Sequence, residues 1–262
     1  GIYVYLSLIS SKSLDYNSSM STWNLSTSAT AHGFTRWALP ITWDYAEANP
    51  LSHSSGSYTT IYEWLLSALI SVSSATKNAF LPHVIKGSAI KSRGEFDIIV
   101  TDPPYYDAIP YSDLMDFFYV WQKRLLWDLD SQFEESYRQE LSPKWDHTEY
   151  DGELIDDSSR FGGNQQKSKE NYENGMQQAF KVCHDSLTSE GRLVIVFAHK
   201  QPDAWEILVS AIIKVGFVVD GSCPIQTERE ARTRALSSAA LASSVWLVCK
   251  KRPPTARPGW DN

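Results

Sequence analysis

The chain has 262 residues, 42% hydrophobic and 13% aromatic, enough to bury an α/β core as one domain or a large part of one. Its formal net charge of -7 is not that of a protein that holds nucleic acid by bulk electrostatics, so any such site must be local or completed from elsewhere. Cys183, Cys223 and Cys249 are far apart with no CxxC pair, which argues against a disulfide framework or a zinc site and fits a reducing cytoplasm.

No run approaches ~20 apolar residues, so no membrane-spanning helix is expected. The apolar start lacks the basic flank of a signal peptide. The pattern opens in mid-course at Gly1, which reads as a piece of a longer protein.

In chain order, Ile2 to Leu14 suits a helix or a strand, with helix preferred. Asp15 to Ser57 is rich in Ser, Thr, Asn and Trp and is broken by Pro40 and Pro50; Trp23, Trp37 and Trp43 read as packing anchors of an irregular layer. Ile61 to Val72 is apolar nearly all round, the pattern of a buried helix. Residues 1–80 are thus expected as a helical and irregular, aromatic-rich segment packed on a domain spanning 81–250. Val84 to Gly87 suits a short strand.

Phe96 to Val100 is a short apolar, β-branched run that predicts a buried strand. It stops at Thr101-Asp102-Pro103-Pro104-Tyr105-Tyr106-Asp107. An acid just past the carboxyl end of a buried strand lies where an open α/β sheet keeps its chemistry. Beyond it, Leu114, Phe117, Phe118, Trp121 and Leu125 share a helical face, with Ser112 as a natural N-cap and Asp113 and Asp116 near the positive end.

Asp128 to Arg160 carries eleven acids against three basic residues, and the surrounding 128–170 reads as an acidic, flexible insertion that would repel phosphate. Tyr172, Met176, Ala179, Phe180, Cys183 and Leu187 form a helical stripe ended by Gly191. Arg192 to Ala198 predicts a second buried strand. Asp203 and Glu206 suggest a capping box for a helix whose Trp205, Leu208, Ile212 and Val215 face one way, closed by Gly216. Phe217 to Cys223 and Ser244 to Lys250 read as final strands, and 251–262 as a loose tail.

Asp102-Pro103-Pro104-Tyr105 resembles the signature of amino-methyltransferases, which methylate an exocyclic base amine with S-adenosylmethionine. The residue types suit that chemistry. A base amine is a poor nucleophile because its lone pair is delocalised into the ring. The Asp102 carboxylate and the Pro103 carbonyl can each accept one N–H, leaving the lone pair free to attack in line. Each proline fixes its own φ and biases the residue before it toward an extended form, which holds the carbonyl at one angle. Tyr105 offers a flat face to a base swung out of the helix. No metal, cysteine or covalent intermediate is required.

A wider resemblance is to large bacterial and archaeal adenine-specific DNA methylases, some of which sit near phage-defence systems. It rests on Asp15-Tyr16-Asn17-Ser18-Ser19 with Trp23, Leu39-Pro40 with Trp43-Asp44 and Asn49-Pro50, and Thr101 through Asp107. It continues through Tyr111-Ser112-Asp113-Leu114 with Asp116 to Trp121, Pro224 to Arg229, and Ser238 to Ser244. The resemblance implies a Rossmann-like class I methyltransferase sheet, here its second half ending in an antiparallel strand pair, with a helical, irregular N-terminal layer. It implies S-adenosylmethionine as donor, a flipped adenine of DNA as acceptor and defence-system proteins as partners. Asp102, Pro103, Pro104 and Tyr105 would carry the catalytic roles, and Asp102 would also face the cofactor. Tyr105 would meet the base, and Tyr106, Asp107 and Tyr111, beside the motif, suit either the lining of the base or cofactor pocket or plain loop packing.

Such enzymes also use a glycine-rich turn after a first strand and an acid after a second. Neither is found; Gly162-Gly163 sits in the polar segment with no strand before it, and the missing motif is expected upstream of Gly1. Cytosine N4 or an RNA base suits the same turn, and a non-catalytic nucleic-acid- or partner-binding module is the competing class. Arg229, Arg232 and Arg234 suit either phosphate contact or a mixed-charge loop, and Lys250, Lys251, Arg252 and Arg257 suit a solubilising tail. Of six histidines without ligand spacing, only His199 falls near the expected active edge.

Overall fold

The computed structural model describes residues 1–34, 41–107, 109–142, 144–225 and 244–253. The chain divides into two compact units, Gly1–Val84 with Pro110–Pro143, and Ile85–Ile109 with Lys144–Asn262. Residues 110–143 thus group with the N-terminal part, a division the sequence pattern did not contain. Trp37, Arg229, Arg232, Arg234 and Arg257, and the blocks Leu39-Pro40, Gln226 to Arg229 and Ser238 to Ser243, lie outside the described residues.

The first unit holds helices α1 (Ile2–Tyr16), α2 (Tyr58–Ala75), α3 (Tyr111–Leu126) and the short α4 (Ser131–Ser136), with a two-residue antiparallel pair, β1 (Trp23–Asn24) and β2 (Ala29–Thr30). The preferred helix at the start is present as α1. Its contact with α3 is polar: Ser7 Oγ donates to Gln122 Oε1 at 2.9 Å, and Gln122 Nε2 donates to the Ser7 carbonyl and to Ser11 Oγ. Ile9, Tyr16 and Ile61 make a small core with Leu65 against it.

Several expectations need correction here. Helix α2 forms, capped by Ser57 Oγ accepting from the Thr60 N–H, but only Ile61 is buried. Trp64, Leu66, Ile70 and Val72 stay exposed, because an all-round apolar helix can bury only the faces that neighbours cover. Trp23 and Trp43 are exposed rather than packing anchors, Trp43 fully so at 100%. Helix α3 starts at Tyr111 behind Pro110, so Ser112 lies inside the helix instead of capping it. Its buried positions are Ser112, Tyr119 and Leu126, while Trp121 and Leu125 are exposed. Ser112 and Asp116 serve the loop after α4: the Ser142 hydroxyl donates to the Ser112 carbonyl, and the Ser142 N–H donates to Asp116 Oδ1.

The second unit is an α/β unit built on a mixed four-stranded sheet. Its elements are β3 (Phe96–Thr101), α5 (Gln165–Ser186), β4 (Leu187–Phe197), α6 (Pro202–Lys214), β5 (Phe217–Ile225) and β6 (Ser244–Lys251). The strand order is β3-β4-β6-β5, with β3 parallel to β4 and the other pairs antiparallel. The final antiparallel pair is as expected from the sequence. Helices α5 and α6 bury Tyr172, Met176 and Phe180, and Leu208, Ala211 and Ile212, in one core with Leu193, Ile195, Phe197, Leu247 and Cys249 of the sheet. Each such large side chain contributes roughly 1.5–3 kcal/mol by leaving water.

Strand β3 is not the buried strand its composition suggests. Among the described residues it is an edge: Ile99 packs on the core, but Ile98 and Val100 are 64% and 61% exposed. Residues 84–87 form no strand. Strand β4 begins at Leu187 rather than Arg192, with Gly191 inside it, where a register shift moves the partner of β3 from Leu187 to Arg192. The capping box at Asp203 and Glu206 is not formed; Gln201 is the N-cap and Pro202 opens α6, its fixed φ suiting the first turn. Gly216 closes α6 at φ +99°, as expected. Within the acidic segment, Ile155 and Asp156 are buried and Ser158–Phe161 forms a 3-10 turn. The segment is therefore built into the unit at that point rather than solvated throughout. No helix among the described residues is long and apolar enough to cross a membrane.

Candidate functional site

The carboxyl end of β3 delivers Asp102 into an exposed position, and the two prolines after it are half-buried. The Tyr105 hydroxyl donates to Asp102 Oδ1 at 2.8 Å, across three residues. Tyr105 is half-buried, its ring edge-on to Phe197 with centroids 5.3 Å apart. One carboxylate oxygen of Asp102 is thereby engaged, and Oδ2 has no hydrogen bond among the described residues. The Pro103 carbonyl likewise accepts none among them. Two acceptors on neighbouring residues are thus open.

Tyr106 turns the chain. Its φ is +58°, a left-handed backbone that a bulky residue adopts only when its surroundings hold it there. Several contacts do so. The Tyr106 N–H donates to the Pro104 carbonyl at 3.1 Å, closing a three-residue turn. It also donates to the Tyr172 hydroxyl at 3.1 Å, while that hydroxyl donates to the Pro104 carbonyl at 2.6 Å. On the far side the Tyr106 carbonyl accepts from the Asp156 N–H at 3.1 Å. The Asp156 carboxylate accepts from Gln165 Nε2 at both oxygens, at 3.1 and 3.0 Å.

The electrostatics follow from this packing. Burial pushes the Tyr172 hydroxyl up to about 12, and the nearby Asp107 and Asp156 charges add to the rise. Burial, then the Asp156 carboxylate beside it, raises Tyr106 far above the ordinary tyrosine range. Both hydroxyls stay protonated and can donate.

Asp107, also exposed, is held from the end of β4. His199 Nε2 lies 3.1 Å from Asp107 Oδ1, and His199 Nδ1 accepts the Gln201 N–H at 3.2 Å. An acceptor at Nδ1 places the proton on Nε2, which therefore donates to the carboxylate. The His199 side chain is 9% exposed, stacked on Phe197 and edge-on to Tyr106, and the Trp205 indole N–H donates to its carbonyl.

Asp102, Pro103, Pro104, Tyr105, Tyr106 and Asp107 therefore share one turn of the second unit, with His199 beside it. Tyr106 is buried, its ring edge-on to Tyr172 and His199, and does not face solvent. Tyr111 is 53% exposed at the start of α3, in the first unit, and is not part of that turn. Tyr172 and Asp156 were missed as site residues. Tyr172 reads as one more position on an apolar helical stripe and Asp156 as one of many acids; the Gln165 and Asp156 pairing has no sequence signal. No group of metal-binding side chains occurs among the described residues. No family model, curated protein or solved structure matches the chain.

Proposed function

We propose that the turn after β3 is the acceptor half of a methyl-transfer site that acts on the exocyclic amine of a nucleic-acid base, with N6 of a flipped adenine in DNA as the first candidate. The observation that carries this reading is the pair of open acceptors, Asp102 Oδ2 and the Pro103 carbonyl, on a turn whose geometry is fixed from both sides. Each accepts one amine N–H, which draws the nitrogen toward tetrahedral geometry and leaves its lone pair free. Preorganised acceptors of this kind act without reorganisation at the moment of reaction. The Tyr105 ring supplies the stacking surface, and its hydroxyl keeps Asp102 in place.

S-adenosylmethionine, when bound, supplies the methyl group as an electrophile. Of its expected contacts this chain offers Asp102; no cradle for the amino-acid part of the molecule is found among the described residues. The order β3-β4-β6-β5, with one parallel and two antiparallel pairings, suits the second half of a Rossmann-like methyltransferase sheet. The outer edge of β3, unpaired among the described residues and flanked by exposed Ile98 and Val100, is where further parallel strands would add.

Transfer of labelled methyl from S-adenosylmethionine to DNA by the full-length polypeptide tests the reading, with Asp102→Ala as the comparison. Asp102-dependent label on adenine supports it. Label on cytosine or RNA moves the substrate within the same chemistry, and no Asp102-dependent label on any of them leaves a non-catalytic binding module.

A further inference from the structure

We propose that Tyr172 and Asp156 are positioning residues that clamp Tyr106 from opposite sides and so set the direction of the Pro103 carbonyl. The inference rests on the methyl-transfer reading above for the consequence of that direction, and on geometry alone for the clamp. Neither residue reaches an open acceptor; each acts through Tyr106.

The Pro103 carbonyl is one peptide link from Pro104, and its orientation is inherited from the turn that follows. Proline fixes φ at Pro103 and Pro104 but leaves ψ at Pro104 to be set by other forces. The Tyr172 hydroxyl supplies one of them. Donating to the Pro104 carbonyl and accepting from the Tyr106 N–H, it spans the two ends of the three-residue turn and locks the peptide planes between them. Its place on α5, with a ring that is 2% exposed beside Met176 and Phe180, makes the anchor rigid. Asp156 closes the other side through its N–H on the Tyr106 carbonyl, and its own carboxylate is held by Gln165 Nε2. A tyrosine at φ +58° gains nothing locally from that conformation, so the contacts must impose it. A structural role in core packing alone would need the rings but not these polar bonds.

The acidic segment thereby acquires a role other than solvation, since it carries Asp156 into the clamp. The Tyr172 hydroxyl, and the charge by which Asp156 is held to Gln165, can each be removed with little change in volume. Tyr172→Phe deletes the hydroxyl and keeps the ring; Asp156→Asn keeps the shape and the main-chain N–H but removes the charge.

The test uses the full-length protein and reads two quantities, amide hydrogen exchange at Tyr106 and the kcat–KM split of methyl transfer to DNA. Tyr172→Phe is expected to speed Tyr106 exchange and lower kcat by about tenfold or more, with KM for DNA within about threefold, the pattern of lost transition-state positioning. Asp156→Asn is expected to lower kcat in the same sense and serves as the measurement if Tyr172→Phe does not fold. Unchanged Tyr106 exchange in Tyr172→Phe overturns the clamp whatever the activity. Unchanged kcat in both variants, or a rise in KM alone, overturns the positioning role. Absence of Asp102-dependent transfer in the unsubstituted protein is a failure of the methyl-transfer reading, seen before either variant is assayed, and it removes the positioning role while the exchange data still judge the clamp.

Discussion

The Tyr105 hydroxyl donates to Oδ1 of Asp102 at 2.8 Å, tying the acid to the aromatic ring three residues further on. The two roles proposed for Tyr105, stacking a base and steadying the acid, can therefore be separated. Tyr105→Phe keeps the ring and loses the bond, worth about 0.5–1.5 kcal/mol. Tyr105→Ala loses both, and base stacking alone is worth ~1–3 kcal/mol. Titration of an oligonucleotide carrying an unpaired 2-aminopurine should show near-normal affinity for the Phe variant and a clear loss for the Ala variant. Equal affinity for all three proteins would remove Tyr105 from base binding.

His199 is held by three hydrogen bonds and joins Asp107 to the start of α6. His199→Ala deletes the two bonds made by the ring, leaving the Gln201 N–H and Asp107 without their partners. A loss of about 1–3 kcal/mol in urea unfolding is expected. A change below about 0.5 kcal/mol, the range of ordinary surface substitutions, would show that the ring bonds are not made in solution.

Alkaline stability should carry the mark of Tyr172. Its hydroxyl, near 10 when unfolded, is pushed up to about 12 by burial in the folded chain. The folded state then holds a proton that the unfolded state has lost, so stability is full below pH 10 and falls as the pH rises toward 12. Unfolding free energies measured across that window should fall less steeply in Tyr172→Phe than in the unsubstituted chain. Identical slopes would contradict the buried, protonated hydroxyl.

In the first unit, Gly56 is needed for its backbone. It sits at φ +83°, and a Cβ there would come within 2.8 Å of Tyr16 Cβ, while its carbonyl accepts from Asn17 Nδ2. Gly56→Ala meets strain and a clash together, and a loss of about 1–3 kcal/mol is expected by thermal unfolding.

The order of elements in the second unit is legible in the sequence because periodicity is a local property. The runs at 96, 192, 217 and 244 and the stripes at 172 and 205 each announce themselves. What covers an element is not local. Ile98 and Val100 have the composition of a central strand, yet β3 is an edge among the described residues. Trp64 and Ile70 have the composition of a core helix, yet lie open. The same limit applies at the site. Asp102 to Asp107 can be read because the residues are contiguous, and His199 can be suspected from its place at the end of β4. Tyr172 and Asp156 reach the turn from 68 and 50 residues on along the chain from Pro104 and Tyr106, where spacing carries no information. The difference is measurable: Leu193→Ala, at a fully buried position, should cost about 2–5 kcal/mol, and Ile98→Ala within about 0.5 kcal/mol. Similar losses at both positions would mean that β3 is covered in the folded chain.

Methyl transfer from labelled S-adenosylmethionine to DNA by the full-length polypeptide, read at the level of the base, decides whether the turn at Asp102 is a methyl-transfer site. Label is expected on the exocyclic amine of adenine, abolished by Asp102→Ala. Label that persists undiminished in Asp102→Ala, or transfer to no nucleic-acid base at all, would contradict it.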